Sequence, residues 1–341
     1  VGGVIRLPLS EIWVHGENEL MVETKKINRA AAKRKQEIKY PITWAAIKRQ
    51  RQLIYMSVPL LAYIILFAYV PVWGWTMAFQ DFKPNLAFAQ QTWVGFKHFV
   101  FLFTDDNFLR VLRNTLGMSI INLVLGFVTA IGLALLLNEI KNMYWKRTVQ
   151  TVSYLPHFLS WIIVTGIVAT SLASDGIVND VLMWLGLINE PIVWLSEGKY
   201  FWGVVGASHV WKEVGWNTII YLAAMSSIDP SLYEAADIDG ANRYQKMRFV
   251  TIPGIKATII ILLIMSVGHL LEAGFEVQYL LGNGLVVDWS ETIDIFVLKY
   301  GIAQGNYSLA TAGGIFKTVV SITLLLGANW IAKRMGEERL L

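Results

Sequence analysis

Three ionisable residues, His269, Glu272 and Glu276, stand at spacings of three and four inside a strongly apolar stretch. Read as one continuous helix, that spacing puts all three on a single face. A second apolar stretch carries His209, Lys212, Glu213 and Asn217, a third opens with Tyr154, His157 and Trp161, and a fourth contains Asn122. Ionisable groups are costly inside a bilayer and face a cavity or one another. The aromatic side chains Trp211, Trp216, Tyr221, Phe275 and Tyr279 share these stretches. Rings beside hydrogen-bonding groups suit a saccharide, which offers hydroxyls at its rim and apolar faces that stack. A structural reading stands beside this one: Lys212 and Glu213 pair internally, and His269 bonds a neighbouring helix. Lys317 either snorkels or pairs with an acid.

Other chemistries are excluded by type or spacing. Glu272 and Glu276 lie one turn apart on one strand of sequence, which does not place two carboxylates on opposite sides of a glycosidic bond. The five histidines form no H-E-x-x-H motif and no metal cluster. The chain has no cysteine, hence no thiolate ligand or nucleophile. No G-x-x-x-x-G-K-[ST] loop occurs, so nothing here cradles a nucleotide phosphate.

The elements that must position these residues are membrane helices. Of 341 residues, 55% are hydrophobic and 16% charged, against roughly 25% charged in soluble domains; mean hydropathy is +0.48. Six stretches are long and apolar enough to span about 30 Å of hydrocarbon, at about 54–79, 114–138, 148–172, 202–226, 255–281 and 308–332. Pro59, Pro71, Gly203, Gly206 and Gly215 fall inside them, and membrane helices tolerate such residues.

Lysine and arginine set the expected orientation. Ten lie between Lys25 and Arg51; others are Lys141, Lys146 and Arg147, then Arg243, Lys246, Arg248 and Lys256, then Lys333, Arg334 and Arg339. The alternate loops carry Lys83, Lys97, Arg110, Lys199 and Lys299. Both termini are therefore expected in the cytoplasm. The net charge of +4 and the pI near 9.0 follow from this bias and not from a nucleic-acid surface. The basic run also suits anionic lipid. Outer segments near 80–113, 173–201 and 282–307 are rich in aromatics such as Trp93, Phe96, Trp184, Trp194 and Trp289. They are expected to form short interfacial helices or a docking surface. Residues 1–20, ahead of Met21, are expected to be an extension, and 1–52 a cytoplasmic tail preceding a six-helix domain at 53–341.

The loop 229–253 is the most informative segment. Asp229 is a plausible N-cap and Pro230 suits the first helical turn. Glu234 and Asp237 follow, Ala235 and Ala236 give a smooth surface, and Gly240 permits a sharp bend. Asp239, Ala241 and Pro253 complete the frame, with Pro253 expected to close a second short helix that carries Lys246 and Arg248. Glu234-Ala235-Ala236 with Gly240 six residues after the glutamate resembles the coupling loop of ABC-importer permeases. The family's usual Ile-x-Leu-Pro ending is replaced by Val250-Thr251-Ile252-Pro253. Trp93–Phe99, Arg113-Asn114-Thr115, Ser153–Trp161 and Ile219–Ala224 resemble maltose-type carbohydrate permeases, and more narrowly the LplB-like oligosaccharide and polysaccharide subgroup; the alginate importer is a relative. The likeness covers about Leu53 to Leu341.

That resemblance implies an all-α type I permease in the cell membrane, passing an oligosaccharide or polysaccharide to the cytoplasm. It implies a second, different permease, two ATPase subunits that bind ATP and magnesium, and an extracytoplasmic solute-binding protein; this chain holds no cofactor. The loop alone fits a permease of the same architecture for another solute. A membrane enzyme or scaffold would need neither Gly240 nor an ATPase.

Overall fold

The computed structural model describes residues 48 and 50–334. The basic residues from Lys25 to Lys39, Arg49, Arg339 and the proposed extension lie outside them. The chain divides after Val72. The first unit contributes α1, Arg51–Ile64, and a π turn, Ile65–Tyr69, with no side chain buried. A helix that is apolar all round and unburied belongs in lipid, where Pro59 inside it is tolerated. The apolar run Arg51–Phe79 is long enough to cross a bilayer.

The second unit opens with a two-stranded antiparallel pair, β1 (Gln80–Asp81) and β2 (Thr92–Trp93), in which Gln80 faces Trp93. The helices α2 (Lys97–Thr104), α3 (Asp106–Glu139), α4 (Met143–Tyr154), α5 (Trp161–Ser171), α6 (Ile177–Trp184) and α7 (Gly198–Ser226) follow. After them come α8 (Pro230–Ile238), α9 (Arg243–Gly254), α10 (Lys256–Gly268), α11 (Phe275–Leu281), α12 (Val287–Ser290), α13 (Ile293–Val297) and α14 (Tyr307–Arg334).

α3 and α7 form the centre and run parallel. Trp202 covers Gly117, Ile121 and Leu125 sit against Gly206, and the Thr218 hydroxyl donates to the Ala130 carbonyl at 3.2 Å. Parallel running is what the second and fourth spans of an alternating bundle require. A Cβ on Gly206 would press on Ile121; small residues let membrane helices approach where no hydrophobic effect drives them together. Three apolar clusters hold the unit: Phe108, Phe296 and Ala312; Met118, Phe201, Val205 and Val277; and Ala130, Tyr221, Met225 and Ile255.

Two expected spans differ from the continuous helices read in the sequence. The third is broken: Met143–Phe158 and Trp161–Ser171 meet at 105°. Pro156 lacks an N–H, Leu159 is extended, and the Ser160 hydroxyl caps α5 by accepting from the Ile163 N–H. The fifth is interrupted after Gly268 and resumes at Phe275, with Gly274 at φ +92°. The fourth forms as one 29-residue helix, although it is not among the helices apolar enough to count as spans by composition. Among the described residues three helices meet that test, or up to five if each bent pair is one span. The outer segments do contain short helices, α2, α6 and α12.

Candidate functional site

The interruption after Gly268 overturns the shared helical face of His269, Glu272 and Glu276. His269 and Glu272 sit in the turn between α10 and α11 and pair with each other at 3.2 Å, while Glu276 starts α11 and is exposed. The reason is local: Gly274 takes a left-handed conformation that ends any continuous 3.6-residue register.

Six of the expected path residues nevertheless meet. His209, Asn217 and Tyr221 from α7, with His269 and Glu272 from the turn, line a cavity of about 230 Å³ together with Asn122 of α3. Ser119 and Ser266 also line it. Their roles escaped sequence reading, although Ser119, Asn122, Gly126 and Ala130 recur at helical spacing along an apolar helix. Asn122 donates to the Ala273 carbonyl at 3.3 Å, which ties α3 to the interrupted fifth span. Three buried polar atoms on these walls have no partner: Ser119 Oγ, Asn122 Oδ1 and His209 Nδ1. Leaving such an atom unsatisfied costs roughly 1–3 kcal/mol.

Other expected residues are held elsewhere. Lys212 is buried, donates to the His157 carbonyl at 2.6 Å and pairs with Glu213 at 3.2 Å; His157 Nδ1 meets the other Glu213 oxygen at 2.7 Å. The His157 ring stacks on Trp216 at 4.5 Å, and the Lys212 ammonium lies 5.3 Å from the Trp161 ring. This knot fastens the α4–α5 elbow to α7, so the internal pairing is the reading that holds for Lys212 and Glu213. Tyr154 stands at the same elbow, where Gly215 leaves room for the Ser153 carbonyl. Trp211 faces a different, apolar cavity of about 640 Å³ between α5 and α7. Phe275 stacks on the exposed Tyr279 at 5.1 Å and borders a further groove beside Asp294. Lys317 pairs with Asp294 at 2.7 Å.

At the other end of α7 stands the loop 229–253. Asp229 caps α8 by accepting from the Ser231 N–H at 2.9 Å, with Pro230 in the first turn. Gly240 has φ +76°. The Ala241 N–H reaches the Ala236 carbonyl at 2.9 Å and the Gly240 N–H reaches that of Asp237 at 3.1 Å, the glycine-closed Schellman arrangement. A reciprocal cap between Asn242 and Gln245 starts α9. Lys246 bonds Asp237 at 2.7 Å, and the Tyr233 hydroxyl meets that of Thr251 at 2.9 Å. The corner is therefore locked from within. Glu234, Ala235, Asp239 and Gly240 are exposed, and Ile238 is 87% exposed at the tip. The second helix runs to Gly254, one residue past Pro253, and the 58° bend to α10 falls at Ile255.

Apolar helices around a polar cavity, with an internally braced knob beyond them, define a component of a membrane transport system. Residues 108–337 match the binding-protein-dependent transport system inner membrane component family, and the chain belongs to it. It is 43% identical to Protein LplB of Bacillus subtilis (strain 168), over 88% of this chain and 94% of that one. It is equally 43% identical to the polygalacturonan/rhamnogalacturonan transport system permease protein YteP of the same organism, over 85% and 90%. Among solved structures it resembles a chain of a bacterial ABC transporter involved in the import of the acidic polysaccharide alginate, with a TM-score of 0.79, 39% identity, and coverage of 85% and 98%. That transporter in complex with its alginate pentasaccharide-bound periplasmic protein gives a TM-score of 0.80 at 38% identity, over 87% and 99%. The fold is thus the all-α fold of ABC-importer permeases, and the protein is a membrane transport subunit.

Proposed function

We propose that this chain is one permease subunit of an ATP-driven importer that moves an oligosaccharide or polysaccharide, of the uronate-containing class, from an extracytoplasmic binding protein into the cytoplasm. The observation that carries it is the 43% identity, across 85% of the chain, to a permease for polygalacturonan and rhamnogalacturonan. The likeness to the alginate transporter points the same way. The polar cavity between α3, α7 and the turn at 269–274 supports a path for a hydroxyl-rich solute. A second permease, different from this one, completes the path. Two ATPase subunits bind ATP and magnesium and dock on the knob formed by α8, Gly240 and α9. On this reading both termini are cytoplasmic and 53–341 is the six-span permease domain, and the lysine and arginine bias of alternate loops supports it. ATP binding draws the ATPases together, the knob moves with them, and the cavity is exposed to one side and then the other; each ligand shifts the balance by its preference for one state.

The test is ATP hydrolysis and uptake by the reconstituted complex, presented with its binding protein and a panel of neutral and uronate oligosaccharides. Stimulation by uronate oligosaccharides is expected. A Gly240→Pro variant is expected to stay in the membrane yet lose ATP-driven uptake, because the left-handed φ of +76° is closed to proline. Stimulation by a non-sugar solute alone would overturn the carbohydrate reading, and full uptake by the proline variant would overturn the docking role.

A further inference from the structure

α7 has two faces of opposite character. His209 lines the polar cavity, and Ala207 and Trp211, two residues to either side, lie about 160° around the helix from it. There they line the apolar cavity of about 640 Å³, with Val204, against Ile167, Val168 and Leu172. It is a groove open along its side: Ile167, Gly203, Ala207 and Trp211 are exposed along it, and a Cβ on Gly203 would meet no atom within 4 Å. The Ser208 hydroxyl is spent on the Val204 carbonyl at 2.7 Å. Resting on the reading of this chain as a membrane-spanning permease subunit, we infer that this groove seats one acyl chain of a phosphatidylethanolamine, whose zwitterionic headgroup lies on Glu197 and Lys199.

The mouth of the groove has the composition of a membrane surface. Trp194, Lys199 and Tyr200 line the end where α7 begins, and tryptophan and tyrosine gather at the membrane–water boundary. Asn179, fully buried, fixes Trp194 there. Its amide donates to the carbonyls of Ala173 and Ile192, both at 2.9 Å, and its oxygen accepts from the Trp194 indole at 3.1 Å. The Trp194 ring packs on Tyr200 at 5.0 Å. The Lys199 ammonium lies 4.7 Å from the Tyr200 ring and pairs with Glu197 at 2.5 Å, the two side chains being 63% and 46% exposed. An exposed pair of this kind contributes little by itself, so both charges can turn to a headgroup. The ammonium takes the phosphate, and the carboxylate takes the ethanolamine.

Charge selects the headgroup. Between residues 173 and 201 stand Asp175, Asp180, Glu190 and Glu197 against the single cation Lys199. Such a rim repels a lipid of net negative charge, whereas a zwitterion matches the Glu197–Lys199 pair. A primary ammonium has N–H groups to give the carboxylate, as a lysine does; the methylated nitrogen of choline has none. Length and width select the chain. From Lys199 to Trp211 the helix rises about 18 Å, close to the ~15 Å of half a hydrocarbon core. Spread along that length, about 640 Å³ leaves a cross-section of roughly 35 Å², well under the ~80 Å² of a helix ~10 Å wide. Both walls and the mouth belong to this chain, so the seat needs no other subunit to complete it.

The test uses the full complex, released from vesicles of equal phosphatidylethanolamine, phosphatidylglycerol and phosphatidylcholine, with retained lipid counted by native mass spectrometry. Ala207→Phe fills the groove and is expected to lose one retained phosphatidylethanolamine per complex. Glu197→Gln combined with Lys199→Gln is expected to keep a lipid there but to lose the preference for phosphatidylethanolamine over phosphatidylcholine. The chain has no cysteine, so Ala207→Cys gives a second reading that leaves the groove nearly its native size. The introduced thiol is expected to react with a maleimide-bearing lipid and, through a thiol-anchored photocrosslinker, to capture lipid and no other subunit. An unchanged lipid count in Ala207→Phe would overturn the proposal, and so would preferential loss of phosphatidylglycerol from it. A thiol closed to the lipid reagent and cross-linked to a neighbouring subunit would also overturn it, by assigning the groove to a protein helix. If Ala207→Phe does not assemble, the thiol decides alone. None of these readings involves uptake, so they stand or fall independently of the cargo.

Discussion

Asp229 shows how much one side chain settles in the loop after α7. Its carboxylate accepts from the backbone N–H of Ser231 and, secondarily, from the Ser231 hydroxyl, and these bonds hold it below the usual carboxylate range. A carboxyl depressed on folding contributes stability that is present above its unfolded value and is lost as pH falls through its folded value. The start of α8 should therefore stay protected at neutral pH and loosen only under acid stronger than an ordinary aspartate needs. Hydrogen exchange of the amides from Ser231 to Glu234, followed against pH, checks this. Asp229→Asn keeps an accepting oxygen without the titration, so it should flatten that dependence; an unchanged acid limb in the variant would move the effect to another group. The cap was legible in the sequence because Asp-Pro before an alanine-rich turn is a local pattern. The unpaired oxygen of Asn122 was not, since only the position of Ala273, 151 residues on, decides which half of the amide is used.

At the scale of elements, apolar length was legible and continuity was not. The first, second and sixth stretches became the helical runs Arg51–Phe79, Asp106–Glu139 and Tyr307–Arg334, with edges moved by a few residues. The third and fifth failed as single helices because apolarity reports burial in lipid and is silent on backbone direction. Pro156, Ser160, Gly268 and Gly274 carried the breaks, and such residues are also tolerated in unbroken membrane helices. The elbow that results is held by packing as well as by polar bonds. A Cβ at Gly215 would run into the Ser153 carbonyl and the Tyr154 amide, which are backbone and cannot turn aside. Gly215→Val should cost roughly 1–3 kcal/mol through overpacking and push α7 away from the elbow, breaking the bonds of Lys212 and Glu213 with His157. The expected outcome is a membrane-inserted protein with a lowered Tm and slowed uptake. Gly203→Val, where a Cβ meets no neighbour, should be mild in comparison. Equal effects at the two glycines would show that close approach is not what Gly215 supplies.

For the whole molecule, the two ends of the α3–α7 pair are each secured by capping or backbone bonds together with charge. Helix caps and the Lys246–Asp237 pair lock the knob at one end, and hydrogen bonds with ion pairs tie α3 to the segment 288–293 at the other. Asn114 donates to the carbonyls of Asp288 and Glu291 at 3.0 and 3.1 Å, and the Thr115 hydroxyl accepts from the Ile293 N–H at 3.0 Å. Arg110 pairs with Asp288 and, at 3.4 Å, with Glu291, which Lys299 also meets at 3.0 Å. Burial is uneven across this network: the Glu291 side chain is 2% exposed, whereas Arg110 and Lys299 are 32% and 44% exposed. Removing one side of a buried pair is expensive in proportion to how well the remaining charge can reach water. Glu291→Gln leaves two cations that can turn outward, so its cost should be about 1 kcal/mol, the range of a partly exposed pair. Arg110→Met with Lys299→Met leaves a buried carboxylate with neither cation, and should cost roughly 3–5 kcal/mol. Thermal unfolding of the purified complex near neutral pH ranks the two. If Glu291→Gln proves the more damaging, this end depends on the carboxylate as an anchor in its own right, and desolvation does not set the order.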